Sequence, residues 1–366
     1  MATFSLCMIV KNEEEVLGRC LLSALGIFDE IIIVDTGSDD ATKEIARQFT
    51  DQIYDFEWID DFSAARNFAF SKAACEYCVW LDADDVIPPD SREKLIQLKK
   101  SLPKDTDCVM VKYNVAFDRN GKASFSYYRE RILRNCPLAR WSGAVHETIA
   151  PFGKQVYSDI AIEHRKEKQG DSGRNLRIYE SQIKKGGAFT PRDRFYYSRE
   201  LYYARRFEDA IVQLELFLLE GKGWVENNID ACRILSYCLN GTGQRKEALR
   251  ALLKSFEYDS PRAELCCDIG KHFFEQNSYK QAIYWYSRAL ESKIDDQSCA
   301  FIMPECYGYI PAIQLSLCHW HLGDIDTAIT FNELAESFKA DDPAVLSNRK
   351  FYSGYKEKAK GIEKGG

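Results

Sequence analysis

Positive charge is in short supply in this chain. Lysine and arginine total 49 against 56 aspartate and glutamate, a formal charge of −7. A general nucleic-acid binder needs the opposite balance. Long hydrophobic runs are missing too. No apolar stretch approaches the ~20 residues that span a bilayer, so no membrane span is expected. The N-terminal MATFSLCMIVKNEEE lacks the basic start and small-residue cleavage site of a signal peptide. It reads as a first buried strand. A second cysteine pair is also absent. Cys75 and Cys78 form a lone CxxC, which cannot build a zinc ribbon by itself, and they read as packing residues. The 13 cysteines are odd in number and scattered, the usage of reduced thiols in a cytoplasmic protein.

What is present divides into two halves. The 366 residues, 45% of them apolar, allow two or three domains. Up to about residue 165, strand and helix signals alternate. FSLCMIV (4–10), EIIIVD (30–35) and YCVWLD (77–82) are short apolar runs of the kind buried on both faces of a parallel sheet. Between them EEEVLGRCLLSAL (13–25), SDDATKEIARQF (38–49, with Ser38 as N-cap) and SAARNFAFSKAA (63–74) have helical spacing. The alternation predicts a mostly parallel sheet with helices on both faces. Segments 107–117 and 126–134 read as strands of a mixed or antiparallel edge.

From about residue 175 strand signals stop. FEDAIVQLELFL (207–218), RKEALRALLKSF (245–256), YKQAIYWYSRAL (279–290) and IDTAITFNELAE (325–336) resemble one another. Each carries an alanine before an aliphatic residue, at Ala210, Ala248, Ala282 and Ala328. A small residue precedes each alanine by a constant interval, at Ser198, Ser236, Gly270 and Ser316. Small residues at both places let two antiparallel helices approach closely, the pattern of tetratricopeptide repeats. Four degenerate repeats are expected, with an insert around Ser292–Tyr309. His272, His319 and His321, with Tyr284, Trp285, Tyr286 and Trp320, read as repeat core. The boundaries predicted are 1–170, 171–352 and a flexible tail, 353–366.

VWLDADDVIPPD (79–90) carries the chemistry. In a parallel sheet, ligands bind beyond the carboxyl ends of the strands, and this strand delivers Asp82, Asp84 and Asp85 there. Residues i and i+2 of an extended segment face the same side, so Asp82 and Asp84 converge and Asp85 points elsewhere. Hard carboxylate ligands on a turn suit Mg²⁺ or Mn²⁺. Read alone, the same acids fit a solvated turn capping a helix near Ser91. Further acids end other strands, at Asp35 and Asp60–Asp61, with Arg66–Asn67 between them and the DxD. Only two of the five histidines, His146 and His164, fall in this half. RWSGAVHETIAP sets His146 and Glu147 after a bulky anchor and a glycine, as in an acceptor lid. Either histidine suits Mn²⁺ as a nitrogen ligand, with His164, at the end of VYSDIAIEH, favoured. Arg131 and Arg134 in RERILRN can meet phosphate or acidic partners.

SLCMIVKNEE, EIIIVDTGSDDAT, ARNFAF and WLDADD resemble the successive motifs of family 2 glycosyltransferases. WSGAVHE, IEH and the helical repeats resemble a bacterial subgroup that includes S- and O-glycosyltransferases of bacteriocin peptides. The resemblance implies an α/β GT-A nucleotide-diphospho-sugar transferase domain followed by an all-α tetratricopeptide-like domain. It implies an inverting transfer from a UDP-sugar with a divalent cation, Mg²⁺ or Mn²⁺. By position, Asp35 matches the acid at the uridine, Arg66 the basic residue near base and phosphates, Asp82 the acid near the ribose, and Asp84 a metal ligand. Val10 and Lys11 match the strand end bordering the nucleotide. Arg134 is carried as a further nucleotide-sugar contact, His164 as the second metal ligand, Glu147 as the base and His146 as its alternate.

The expected acceptor is a peptide or protein side chain (Cys, Ser or Thr). Alternatives are a surface glycan or lipid-linked sugar, or a repeat scaffold with an inactive transferase-like domain. The intact set Asp35, Arg66, Asp82 and Asp84 argues against the inactive scaffold, and a homodimer is compatible with the repeats. Nucleotidyltransferases carry a glycine-rich basic loop where this chain reads VKNEEE.

Overall fold

The computed structural model describes residues 1–117, 121, 123–167, 171, 173–294 and 302–363. The chain divides into two compact units, Met1–Ala188 and Phe189–Gly366.

The first unit is built on one mixed sheet. Its elements are β1 (Phe4–Val10), α1 (Leu17–Ala24), β2 (Glu30–Asp35), α2 (Thr42–Ala46), β3 (Ile53–Asp55), α3 (Phe62–Phe70), β4 (Tyr77–Trp80), β5 (Asp85–Val86), α4 (Pro89–Ser101), β6 (Cys108–Phe117), β7 (Ala123–Arg134), β8 (Gln155–His164) and α5 (Arg174–Lys184). The strand order is β3-β2-β1-β4-β7-β6-β8-β5. The first four strands in this order are parallel, so Val10, Asp35 and the residues after Trp80 share one end of the sheet. Side-chain alternation sends Phe4, Leu6, Met8 and Val10 into one core with Leu17, Leu21 and Leu95 of α1 and α4. Cys7, Val34, Cys78 and Trp80 enter a second core with Ala69 and Phe70 of α3. Helices therefore cover both faces, as the alternation predicts.

Three expectations change. The β6–β7 hairpin lies inside the sheet, not at its edge, because β8 returns parallel to β6 and β5 pairs beyond it. Ser38 does not cap a helix. Its Oγ accepts the Asn12 N–H at 2.9 Å, and α2 is a single short segment starting at Thr42. Asp60 and Asp61 do not face the strand-end cavity: Asp61 caps α3 by accepting Ala64 N–H at 2.9 Å, and Asp60 accepts the Trp58 indole N–H.

The second unit is a series of helical hairpins: α6 (Pro191–Tyr203) with α7 (Phe207–Glu220), α8 (Val225–Gly241) with α9 (Arg245–Lys254), α10 (Ala263–Phe274) with α11 (Tyr279–Glu291), and α12 (Tyr309–His321) with α13 (Ile325–Phe338). The four alanines are fully buried. Each hairpin turn holds one left-handed residue, at Arg205, Gly243, Asn277 and Gly323, at the same distance before its alanine. Four turns of one geometry mark one repeated unit. Ser316 Oγ donates to Ala328 O at 2.7 Å, so the small residue and the alanine of one repeat touch. Tyr284 and His321 depart from the expected core and are exposed, while Tyr286 is buried.

A last helix, α14 (Pro343–Glu363), occupies most of the segment expected as a flexible tail. Residues 295–301 of the expected insert and 364–366 of the tail lie outside the described residues. The first unit extends past residue 170 because α5 belongs to it, with the Arg174 guanidinium 4.6 Å from the Phe62 ring.

Candidate active site

A cavity of about 520 Å³ opens at the carboxyl ends of the parallel strands. Val10 and Lys11, Arg66, Asp82 and Asp84, His146 and Glu147, and His164 all line it. These residues are far apart in sequence, and the fold gathers them in three ways.

The first is an interlock of two loops. Thr36 N–H and Oγ1 both donate to Val10 O. Asp39 N–H donates to Asn12 Oδ1, and Glu13 N–H to Thr42 Oγ1 at 2.7 Å. KNEEE and TGSDDAT thus satisfy one another's backbone groups. Asp35 lies beneath them, 1% exposed. Its Oδ1 accepts the Gly37 and Ser38 N–H groups, each at 2.9 Å. Its Oδ2 is buried without a partner, which is unusual for such a group, and Asp35 is not among the residues that line the cavity.

The second is a clamp centred on α3. Arg66 is 8% exposed. Its Nε donates to Glu147 Oε1 and its Nη2 to Asp82 Oδ1, both at 2.7 Å. The Trp141 and Trp80 rings flank the guanidinium at 4.7 and 5.3 Å. Burial opposes both charges of the Arg66–Asp82 pair. Arg66, with Arg131 and Arg129 behind it, more than offsets this for Asp82, holding its carboxyl down at about 2. Asp82 and Glu147 likewise push the guanidinium above its usual value. Next along, Asn67 pairs with Trp141 as a peptide would: its Nδ2 donates to Trp141 O at 3.0 Å and its Oδ1 accepts Trp141 N–H at 2.9 Å. Ser142 and Thr148 close the loop with two reciprocal backbone bonds, and Phe62 N–H donates to Ala144 O. The loop expected to act as a lid is thereby fastened to α3, and it holds His146 at φ +50°, a left-handed conformation that is unfavourable for a side-chain-bearing residue.

The third is β5. This two-residue strand pairs antiparallel with β8 and puts Asp85 opposite His164. His164 Nδ1 then lies 3.3 Å from Asp84 Oδ1 and 3.6 Å from Asp85 Oδ1. Nδ1 is buried, and it pairs with these two carboxylates by charge rather than through an aligned hydrogen bond. The Asp84 carboxylate, then that of Asp85, push the imidazole up to about 10. Carboxylate oxygens and a neutral imidazole nitrogen within reach of one another make a donor set that a divalent cation can use. Asp84, Asp85 and His164 form the only three-residue group of this kind among the described residues. The helix-cap alternative for these acids is removed, because no side chain caps α4.

One placement is refined and one corrected. Asp85 turns away from the cavity that Asp82 and Asp84 line, but inward rather than to solvent. It is fully buried and accepts from Tyr113 OH, Arg131 Nη1 and Asp82 N–H, all at 2.9 Å. Period-2 reasoning puts Asp82 and Asp84 on one side but does not foresee this inward turn, because the chain leaves the extended conformation after Trp80, with Asp85 N–H donating to Asp82 O. Arg134 does not reach the cavity. Because β7 runs antiparallel to β4, Arg134 sits opposite Tyr77 at the far end of the sheet. There its Nε donates to Asp107 Oδ1 and its Nη2 to Thr106 O. Sequence reasoning read Trp141 as the anchor of its loop but gave Asn67, Asp85 and Tyr113 no part in building the site. The adjacency of Asn67 to Arg66, and a third acid directly after the DxD, were the available signals.

Residues 5–160 match the family described as glycosyl transferase family 2. A TPR repeat-containing protein of Synechococcus elongatus is 36% identical over 150 residues, covering 41% of this chain and 36% of that protein. The SPbeta prophage-derived glycosyltransferase SunS of Bacillus subtilis is 27% identical over 226 residues, covering 58% of this chain and 52% of that protein. A lipopolysaccharide core biosynthesis glycosyltransferase, LpsC of Rhizobium meliloti, is 28% identical over 166 residues, covering 42% and 58%. The chain therefore spans roughly a third to three-fifths of the length of these curated relatives.

Proposed function

From the match of residues 5–160 to glycosyl transferase family 2, we propose that the protein transfers a hexose from a UDP-sugar to a peptide or protein side chain with inversion. The observation that carries this reading is the convergence of Asp84 and His164 with the Arg66-bridged Asp82 and Glu147 in one strand-end cavity. Asp35, whose buried Oδ2 has no hydrogen-bond partner, is the proposed acceptor for a nucleobase N–H. Lys11, at the rim, faces the phosphates. Asp82, with one oxygen on Arg66, offers the other to the ribose.

Asp84 and His164 would hold Mg²⁺ or Mn²⁺, which supplies charge compensation for the diphosphate leaving group. The acceptor Cys, Ser or Thr attacks the anomeric carbon from the face opposite UDP. The new bond to carbon forms as the carbon–oxygen bond to the phosphate breaks and UDP leaves. Glu147 takes the acceptor's proton on Oε2 while Oε1 stays on Arg66. His146, beside it, is the alternate base. A thiol acceptor depends less on this base, since a thiolate forms near neutral pH. Every described cysteine is a free thiol, in keeping with a reducing, cytoplasmic setting.

A groove of about 470 Å³ on the repeats, lined by Tyr202, Tyr237, Asn240, Asp268 and Lys271, supports a polypeptide acceptor by its size and mixed polarity.

Calorimetry of UDP with Mn²⁺ and then with EDTA tests the donor half. Affinity should be metal-dependent, and the dependence should vanish in Asp84→Ala; equal affinity in both conditions would remove the metal role. Intact-mass spectrometry of peptide, glycan and lipid-linked acceptors with a panel of UDP-sugars tests the acceptor half. Transfer only to a glycan or lipid-linked acceptor would replace the peptide reading.

A further inference from the structure

We infer that Asp85, held by Arg131 and Tyr113, is a positioning residue that sets the cation site for Asp84 and His164 without binding a ligand itself. The inference rests on the metal-dependent reading above.

Asp85 is fully buried, whereas the side chains of Asp84 and His164 are 22% and 28% exposed toward the cavity. Both of its oxygens are committed within the protein. Oδ1 accepts Tyr113 OH, and Oδ2 accepts Arg131 Nη1 and Asp82 N–H. A carboxylate with three protein donors has little left to offer a ligand, but it is well placed to fix its neighbours.

Each of its bonds ends on a part of the site. Asp82 N–H, with the reciprocal Asp85 N–H to Asp82 O, locks the turn that carries Asp84. Arg131 Nη1 also donates to Trp80 O at 3.1 Å, anchoring the end of β4. The backbone register of Asp85 with His164 positions the imidazole, and Oδ1 lies 3.6 Å from Nδ1. One residue thus ties β6 and β7 to the turn after β4 through its side chain, and to β8 through its backbone.

The energetics favour a functional reason for this arrangement. Arg131 is fully buried between the Trp80 ring, at 3.6 Å, and the Tyr113 ring, at 4.3 Å. Its Nε and Nη2 are buried without hydrogen-bond partners. Desolvating an ion pair is costly, and replacing one with packed apolar groups is often neutral or stabilising. A pair that leaves two donors unsatisfied is a poor choice for stability alone. Carboxylates that orient metal-binding histidines typically alter metal affinity about 10- to 100-fold when removed.

The test is the double variant Asp85→Asn/Arg131→Met, which replaces the buried pair with a neutral one. Melting temperature, UDP affinity in EDTA and Mn²⁺ affinity, with and without UDP, are measured on the full chain. The expected result is a retained melting temperature, unchanged UDP affinity in EDTA, and Mn²⁺ affinity reduced roughly 10- to 100-fold. Wild-type Mn²⁺ affinity in the folded double variant would overturn the inference. Should the double variant fail to fold, Tyr113→Phe decides. It removes one donor from Oδ1 and leaves the ion pair, and it should weaken Mn²⁺ several-fold at constant melting temperature; no change overturns the inference. Failure of the wild type itself to bind Mn²⁺ would instead remove the metal reading, and this inference with it.

Discussion

Arg66 shows how one residue can organise a site. Its guanidinium joins Asp82 to Glu147 across a long stretch of chain, and two tryptophans exclude water around it. Charge-assisted bonds of this kind are short and strong, so Glu147 has one fixed oxygen and one left for chemistry. Glu147→Gln keeps an acceptor for Arg66 Nε and removes the proposed base. The expected result is a fall in kcat of roughly 10²- to 10⁴-fold with UDP affinity unchanged. Steady-state kinetics paired with UDP calorimetry check it. Equal losses in both would mean that Glu147 serves only to hold Arg66.

Elements are joined by small residues and by polar staples. In the repeats, Gly270 of α10 faces Tyr286 of α11, and a Cβ at this position would lie 2.8 Å from the ring. Tyr286 is 1% exposed and has nowhere to move. Gly270→Ala should therefore cost about 1–3 kcal/mol by overpacking, seen as a lower melting temperature with UDP binding intact. In the first unit, Glu30 on β2 accepts Ser5 Oγ on β1 and the N–H groups of Ala74 and Cys75 before β4. Burial alone would raise its carboxyl, but these donors outweigh burial and hold it below the usual range. A lowered carboxyl contributes stability above its unfolded value, about 4.3, and that contribution is lost as pH falls through the lower folded value. Glu30→Gln should melt earlier than wild type at pH 7, and the gap should narrow as pH is taken below 4. A gap independent of pH would show that the charge is not what these donors recognise.

At the scale of the whole molecule, the two units differ in what they can do alone. Both cores of the sheet are drawn from residues within the first unit, and every residue lining the strand-end cavity lies before Ala188. A chain ending at Ala188 should fold and bind UDP with Mn²⁺, yet lose glycosylation of a peptide acceptor that the repeats hold. UDP binding is the control for folding. Peptide glycosylation at unchanged KM by the shortened chain would assign the repeats another purpose, such as dimerisation.

Local pattern was enough for the elements. Apolar runs of four to seven residues, helical spacing and small residues at recurring positions are properties of neighbours in sequence, and they determined the parallel strands, both helical layers and the paired helices. Motif position also brought Val10, Lys11, Arg66, Asp82, Asp84, His146, Glu147 and His164 to one cavity. Asp85 and Arg134 were decided only by tertiary structure. Whether a side chain after a strand turns inward depends on a turn and on a two-residue strand pairing with β8, contacts with residues far along the chain. Whether an arginine on β7 reaches the cavity depends on the direction in which that strand meets β4. Periodicity records which face a residue takes along its own strand. It does not record which end of a sheet that residue reaches, because that is set by the partner strand.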